Sequence, residues 1–254
     1  MHSTHAPSPA APPDAALDRA TMLAALRART ARLEGAGRVL HAAAAIPICE
    51  GLGLPGGGLA RGALHEVLAT SPGCGAAFCA VLLARTGGTV LWISNGQDDL
   101  SAWPPGLARH GLLPSNLILV RADRAADALW AMEEALRCPA VAGALLSQPD
   151  HARLDLTATR RLQLAAEAGG ALGLLLRPDA PQIEPTAATT RWRIGAASGG
   201  SGPEEARWAV ELLRAKGGRP GGPWAVTWRA GADASTGALT LDESAAETIR
   251  ETAG

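Results

Sequence analysis

Lysine is all but absent from the sequence. Among 254 residues only Lys216 is one, so basic charge is carried almost wholly by arginine. Any motif that needs a lysine elsewhere in the chain is thereby excluded. The net charge of −1 supplies no global field that would draw the chain to nucleic acid, so such contact would have to be local. No apolar run approaches the length needed to cross a bilayer, and no membrane partner is expected. The chain opens with neither a charged n-region and h-region nor a cleavage site, so a cytoplasmic location is expected. Cys49, Cys74, Cys79 and Cys138 form no CxxC pair, and no histidine stands at metal-ligand spacing from them. They read as small apolar residues in a reducing compartment, and no metal site is expected. Cys74, beside an expected helix start, is the one candidate for a thiol pKa lowered by its position.

What is present is ordinary globular material: 47% hydrophobic and 19% charged residues can hold a core over one large domain with extensions. Residues 1–13, "MHSTHAPSPAAPP", are rich in proline and alanine and are expected to be disordered. Residues 14–35 read as an N-terminal helix, capped by Asp14 and stopped at Gly35. After the glycine-rich connector 51–58, strands and helices alternate. Strand-like runs cover 62–69, 88–94, 116–121, 140–147 and 171–177. Helical segments cover 76–86, a short stretch after Pro104 and Pro105, 124–137 and 156–168, the last with Asp155 as its N-cap. Several of these strands are continuously apolar, which implies burial on both faces in a parallel sheet covered by helices. From 190 the pattern alternates instead. "TRWRI" (190–194), "ARWAVELLRA" (206–215) and "WAVTWR" (224–229) read as an antiparallel extension with one solvated face. The core domain is therefore set at 51–230. Residues 231–254 read as a polar tail with a weak helix near 242–252.

One stretch bears on chemistry. "ATSPGCGAAFCA" (69–80) follows a strand, carries turn glycines and opens into a helix, as a phosphate-binding loop does. In GxxxxGK[ST] the lysine reaches the β- and γ-phosphates and the hydroxyl holds Mg²⁺. Ala76 and Ala77 occupy those positions, and Lys216 is too distant for any shift of register to restore the motif. One missing cation at 4 Å forfeits on the order of 4 kcal/mol at an effective dielectric of 20. That is roughly three decades in affinity. The strand at 140–147 ends in Ser147 and Gln148 where an aspartate would orient Mg²⁺, with Asp150 two residues further on. The turn after 88–94 reads Ser94, Asn95, Gly96 and Gln97, none of them a base at neutral pH. What remains for a nucleotide is Ser71 with the backbone donors near Gly73 and Gly75 at a helix N-terminus.

The order of these elements over 51–230 resembles the core of RecA-like recombinases. "LPGGGLARGALHEVLA" is similar to the lead-in of that core, and "VAGALLSQPD" stands at its Walker B strand. Four runs in order, "LHEVLA", "LWAMEEALR", "LDLTATRRLQLAAE" and "LGLLLRP", with "RWAVELLRAKGGRPGGPW" after them, resemble the ImuA family of RecA-like mutasome proteins. The resemblance implies an α/β fold with a RecA-like core: a mainly parallel sheet, helices on both faces and an antiparallel C-terminal extension. It implies a non-catalytic accessory role in damage-inducible translesion synthesis and SOS mutagenesis. The partners implied are ImuB (a Y-family polymerase homologue), an error-prone DnaE-type polymerase and RecA. No cofactor and no ATP hydrolysis are expected.

By the same resemblance, Arg153, Arg160 and Arg161 flank a region that lines the DNA channel in RecA, and are candidates for DNA or partner contact. Lys216 and Arg219 resemble the hairpin cations that recombinase filaments extend to a neighbour's nucleotide. The loop after Arg177 carries Asp179 and Glu184 and has no basic residue before Arg191, which argues against phosphate tracking. Two other readings compete. One is an ATP- and Mg²⁺-dependent recombinase-like DNA-binding protein. The other is a SulA-like cell-division inhibitor.

Overall fold

The computed structural model describes residues 45–52, 54–95, 102–148, 154–180, 184–198, 205–231 and 237–242. Two units divide the chain at residue 42, and all described residues belong to the second, Ala43–Gly254. The expected N-terminal helix (14–35) and disordered segment (1–13) lie outside the described residues.

The alternation in sequence becomes β1 (Ala63–Ala69), α1 (Pro72–Ala84), β2 (Thr89–Asn95), α2 (Pro104–Ala108), β3 (Leu117–Ala122), α3 (Ala125–Arg137), β4 (Val141–Ser147), α4 (Leu156–Gly169) and β5 (Leu172–Pro178). Four further strands follow: β6 (Thr190–Ala196), β7 (Glu205–Ala215), β8 (Gly221–Arg229) and β9 (Ala238–Asp242). All nine join one sheet in the order β3-β2-β4-β5-β1-β6-β7-β8-β9. The first six are parallel, and β7, β8 and β9 continue antiparallel. The antiparallel extension thus starts one strand later than the sequence suggests, because "TRWRI" pairs in parallel with β1.

Both faces of the parallel half are covered except at the edge strand β3, where Ile118 and Leu119 are exposed. On one face Phe78, Val81 and Leu82 of α1 pack with Trp92, Leu145, Leu174 and Trp192. Phe78 meets Trp208 of β7 edge-on at 5.6 Å, which carries this core into the antiparallel half. On the other face Met132 and Leu136 of α3 and Leu162 of α4 pack on Leu64, Ile93, Leu146 and Leu175.

The packed core also extends beyond 51–230 at both ends, and the sheet at the C-terminal one. Ile46 bridges Leu59, and Ile46, Ile48 and Leu52 are buried in the α1-side core. Residues 238–242 form the edge strand β9, paired with β8, with Leu239 set into the same core, where a polar tail was expected. The weak helix expected over 242–252 lies, apart from Asp242, outside the described residues.

Candidate functional site

The chain passes from strand to helix in two residues, Thr70 and Ser71. Helix α1 begins at Pro72, four residues before the expected start at 76, because proline is favoured at the first helical position. Gly73, Cys74 and Gly75 are therefore turns of helix and not a loop wrapped around an anion. The Gly75 N–H is committed to the Ser71 carbonyl at 3.2 Å, and Pro72 has no N–H to give. Only the N–H groups of Ser71, Gly73 and Cys74 fall outside the helix's own ladder.

Gly75, read as a nucleotide-binding residue, is also a packing glycine. A Cβ there would lie 2.5 Å from the Ala69 Cβ and 2.6 Å from Leu176 Cδ1, so helix and sheet approach too closely for any side chain. Gly73 is exposed with open space at the same atom, and Ser71 is the exposed N-cap residue without a side-chain cap bond. Cys74, the one candidate for a lowered thiol pKa, goes the other way: burial pushes its thiol up to about 11, in keeping with the reading of the cysteines as small apolar residues. Of the other positions read as lost catalytic groups, Ser94, Ser147 and Gln148 are buried at strand ends, while Gly96, Gln97 and Asp150 lie outside the described residues.

The densest charge in the described residues sits on the opposite sheet face. Glu66, at the centre of β1, is fully buried and holds Arg191 Nε at 2.6 Å and Arg177 Nη1 at 3.1 Å. Arg191 also donates to the Glu184 carbonyl at 2.6 Å. Beside it, Arg193 bridges Asp179 at 3.1 Å and Glu211 at 2.7 Å. The acids of the loop after Arg177 thus turn inward to the sheet's own arginines. Alternation in "TRWRI" suggested a solvated charged face. Trp192 and Ile194 do face the α1-side core, but Arg191 is buried, because parallel pairing sets it level with Glu66. The missed signal was the glutamate inside "GALHEVLA": a carboxylate in a buried strand requires partners.

The arginines proposed for DNA or partner contact separate. Arg161 donates to Glu133 of α3, which also holds Arg137 at 2.5 Å. Arg160 is exposed on α4, and Arg153 lies outside the described residues. Lys216 and Arg219 are exposed at the β7–β8 hairpin, where Ala215 pairs with Thr190 and Thr190 with His65. That is the far end of β1 from Ser71, roughly 15 Å along the strands, so they do not share a site with the strand–turn–helix of their own chain. Large apolar side chains exposed among the described residues are Trp103, Ile118 and Leu119 of β3, and Trp130, Leu156 and Leu164 on α3 and α4. Among the described residues no helix is long and apolar enough to cross a membrane, and no cluster of histidine, cysteine, aspartate and glutamate could hold a metal ion.

The strand order, the crossover helices on both faces and the antiparallel extension define a RecA-like fold. The solved RadB recombinase shares it at a TM-score of 0.51, with 13% identity over 74% of this chain and 94% of that one. No family model matches the sequence. Protein ImuA of Caulobacter vibrioides, in strains NA1000 / CB15N and ATCC 19089 / CIP 103742 / CB 15, is 39% identical over 191 residues, covering 66% of this chain and 76% of that protein. The chain belongs to the ImuA family.

Proposed function

We infer that this chain is a non-catalytic accessory protein of a damage-inducible translesion mutasome. It acts in the cytoplasm through protein contacts with ImuB, an error-prone DnaE-type polymerase and RecA, in SOS mutagenesis and DNA repair. The observation that carries the reading is the two-residue passage from β1 into α1. A triphosphate needs a run of backbone donors around its oxygens and a cation behind them. Here Gly75 is filled by packing, Pro72 has no donor, and Ala76 and Ala77 stand where the cation and hydroxyl would be. These residues do not fit ATP with Mg²⁺. Direct DNA binding is weak or absent on this reading, because Arg161 is tied to Glu133.

The test has two arms. Calorimetric titration with ATP, with and without Mg²⁺, is expected to give no heat of binding. Co-purification with ImuB and RecA, separately and together, is expected to give a complex. Mg²⁺-dependent ATP binding with phosphate release, or no complex with any of these proteins, would overturn the reading.

A further inference from the structure

Strand β3 closes one end of the sheet, and among the described residues it pairs only with β2. An edge strand leaves a row of N–H and C=O groups open to another chain, and natural edges are blunted by charge, proline, a bulge or short length. β3 has little of this protection. Leu117, Ile118, Leu119 and Val120 run without a break, the pairing with β2 is continuous, and Arg121 is the one charged residue of the strand. The opposite edge differs, since Leu239 and Leu241 of β9 pack on the α1-side core.

The exposure pattern shows from which direction an occupant comes. Leu119 pairs with Trp92 and so lies on the α1 side of the sheet, whereas Ile118 pairs with Leu91 and lies on the α3 side. Ile118 is 49% and Leu119 39% exposed. A helix laid on one face would cover only one of them. An extended strand added in the plane of the sheet brings side chains alongside both.

The sequence of β3 is suited to pair with itself. A two-fold axis normal to the sheet keeps each face on its own side, so odd residues of β3 can stand opposite only odd ones and even residues opposite only even ones. Centring the antiparallel register on Leu119 sets Leu119 opposite its own copy, Ile118 opposite Val120, and Leu117 opposite the stem of Arg121. Centring it on Val120 would set Leu117 against Asp123 instead. In the first register the two copies of Arg121 stand roughly 13 Å apart along the strands, beyond close-range repulsion. We propose that β3 joins a second copy of this chain edge to edge, antiparallel about Leu119, into one continuous sheet. An isologous contact of this kind closes at two copies and does not propagate into a filament. The proposal does not depend on the docking reading above.

Sedimentation of the full chain over a range of concentrations reads the assembly. Wild type is expected to pass from monomer to dimer as concentration rises and to go no further. Ile118→Lys/Leu119→Lys sets like charges against each other at the centre of the junction and is expected to weaken the dimer about 30-fold or more. Both replaced side chains are exposed, so the melting temperature of the dilute monomer is expected to hold. The register is read by cross-linking in a Cys138→Ser background, which removes the exposed native thiol. Leu119→Cys places two thiols directly opposite each other, with Cα atoms about 4.5–5.5 Å apart, and is expected to give a disulfide-linked dimer on oxidation. Arg121→Cys, with its two copies roughly 13 Å apart, is expected to give none. Wild type that stays monomeric overturns the proposal, as does a dimer that the lysines leave intact, or one that Arg121→Cys links as readily as Leu119→Cys. Monomeric wild type whose binding to ImuB or RecA is lost in the lysine variant overturns the second copy in favour of a partner's strand.

Discussion

His65 makes the stability of the fold depend on pH in a calculable way. Its ring is fully buried between β1 and β6. Nε2 lies 2.9 Å from the Ala60 carbonyl, which can only accept, so the proton sits on Nε2 and Nδ1 is bare. Nδ1 accepts from the Thr190 hydroxyl at 2.8 Å, and that oxygen accepts from Trp192 Nε1 at 2.7 Å. The chain of bonds is satisfied only by neutral imidazole, and burial lowers the pKa to about 4. The unfolded chain binds this proton near pH 6.5, whereas the folded chain refuses it until about pH 4. Stability from this group is therefore complete above pH 6.5 and falls as pH drops from 6.5 towards 4. The loss totals on the order of 3 kcal/mol, with a limiting slope of about 1.4 kcal/mol per pH unit. Urea unfolding of wild type and His65→Gln across pH 7.5 to 4.5 isolates the effect, since every other titrating group is common to both chains. The variant is expected to be less stable at pH 7.5 and to lose less stability on acidification. Parallel pH profiles for the two chains, or an NMR titration of His65 with a midpoint near 6.5, would refute the reasoning.

Three further substitutions test the packing around the candidate site. Glu66→Ala leaves Arg191 and Arg177 buried without their carboxylate and is expected to cost about 3–5 kcal/mol, read as a fall in the urea midpoint. Gly75→Ala forces a methyl against Ala69 and Leu176, and the cost of about 1–3 kcal/mol outweighs the gain of up to about 1 kcal/mol in helix propensity. It should lower the melting temperature, and calorimetric traces with ATP should remain flat. Asp155→Ala removes the cap bond that Asp155 Oδ1 accepts from the Ala158 N–H at 2.7 Å, and should cost about 1 kcal/mol by thermal or urea denaturation.

The parallel half of the fold was legible because most of its strands are continuous apolar runs, α3 and α4 keep a 3.6-residue period, and α1 is apolar nearly all round. Phe78, Val81 and Leu82 were placed on one buried face, and they share it. Legibility ended where partners came from distant sequence. Nothing local in "TRWRI" says that Arg191 will meet Glu66, 125 residues earlier, since only the parallel register brings them level. Strand β9 was missed because five residues give two alternations, Leu239 and Leu241, too few to outweigh a polar neighbourhood. At the strand–turn–helix, the residue types already told against a phosphate site, but the early helix start did not emerge. Two glycines suggested a loop, while Pro72 at the first helical position and the close approach at Gly75 settle the backbone as helix. Trp130 was equally available: on α3 it lies far round the helix from Met132 and Leu136, the face that the core claims.

A nucleotide-driven motor keeps charged groups in waiting, and binding releases their cost, which couples ligand to shape. In this chain the charges around the sheet are already matched among themselves. Both oxygens of Glu66 are taken by arginines, Arg193 is shared by Asp179 and Glu211, and Glu133 joins α3 to α4. Such a frame reaches its stable arrangement without a ligand, so on the docking reading no nucleotide state is available to switch its surface. Partner binding then has to be controlled by the abundance of the partners and by the side chains left unpaired outside the core. Those side chains can change without disturbing the ion pairs that hold the sheet. On the docking reading, a recombinase fold that needs no nucleotide can in this way alter what it docks while keeping its architecture.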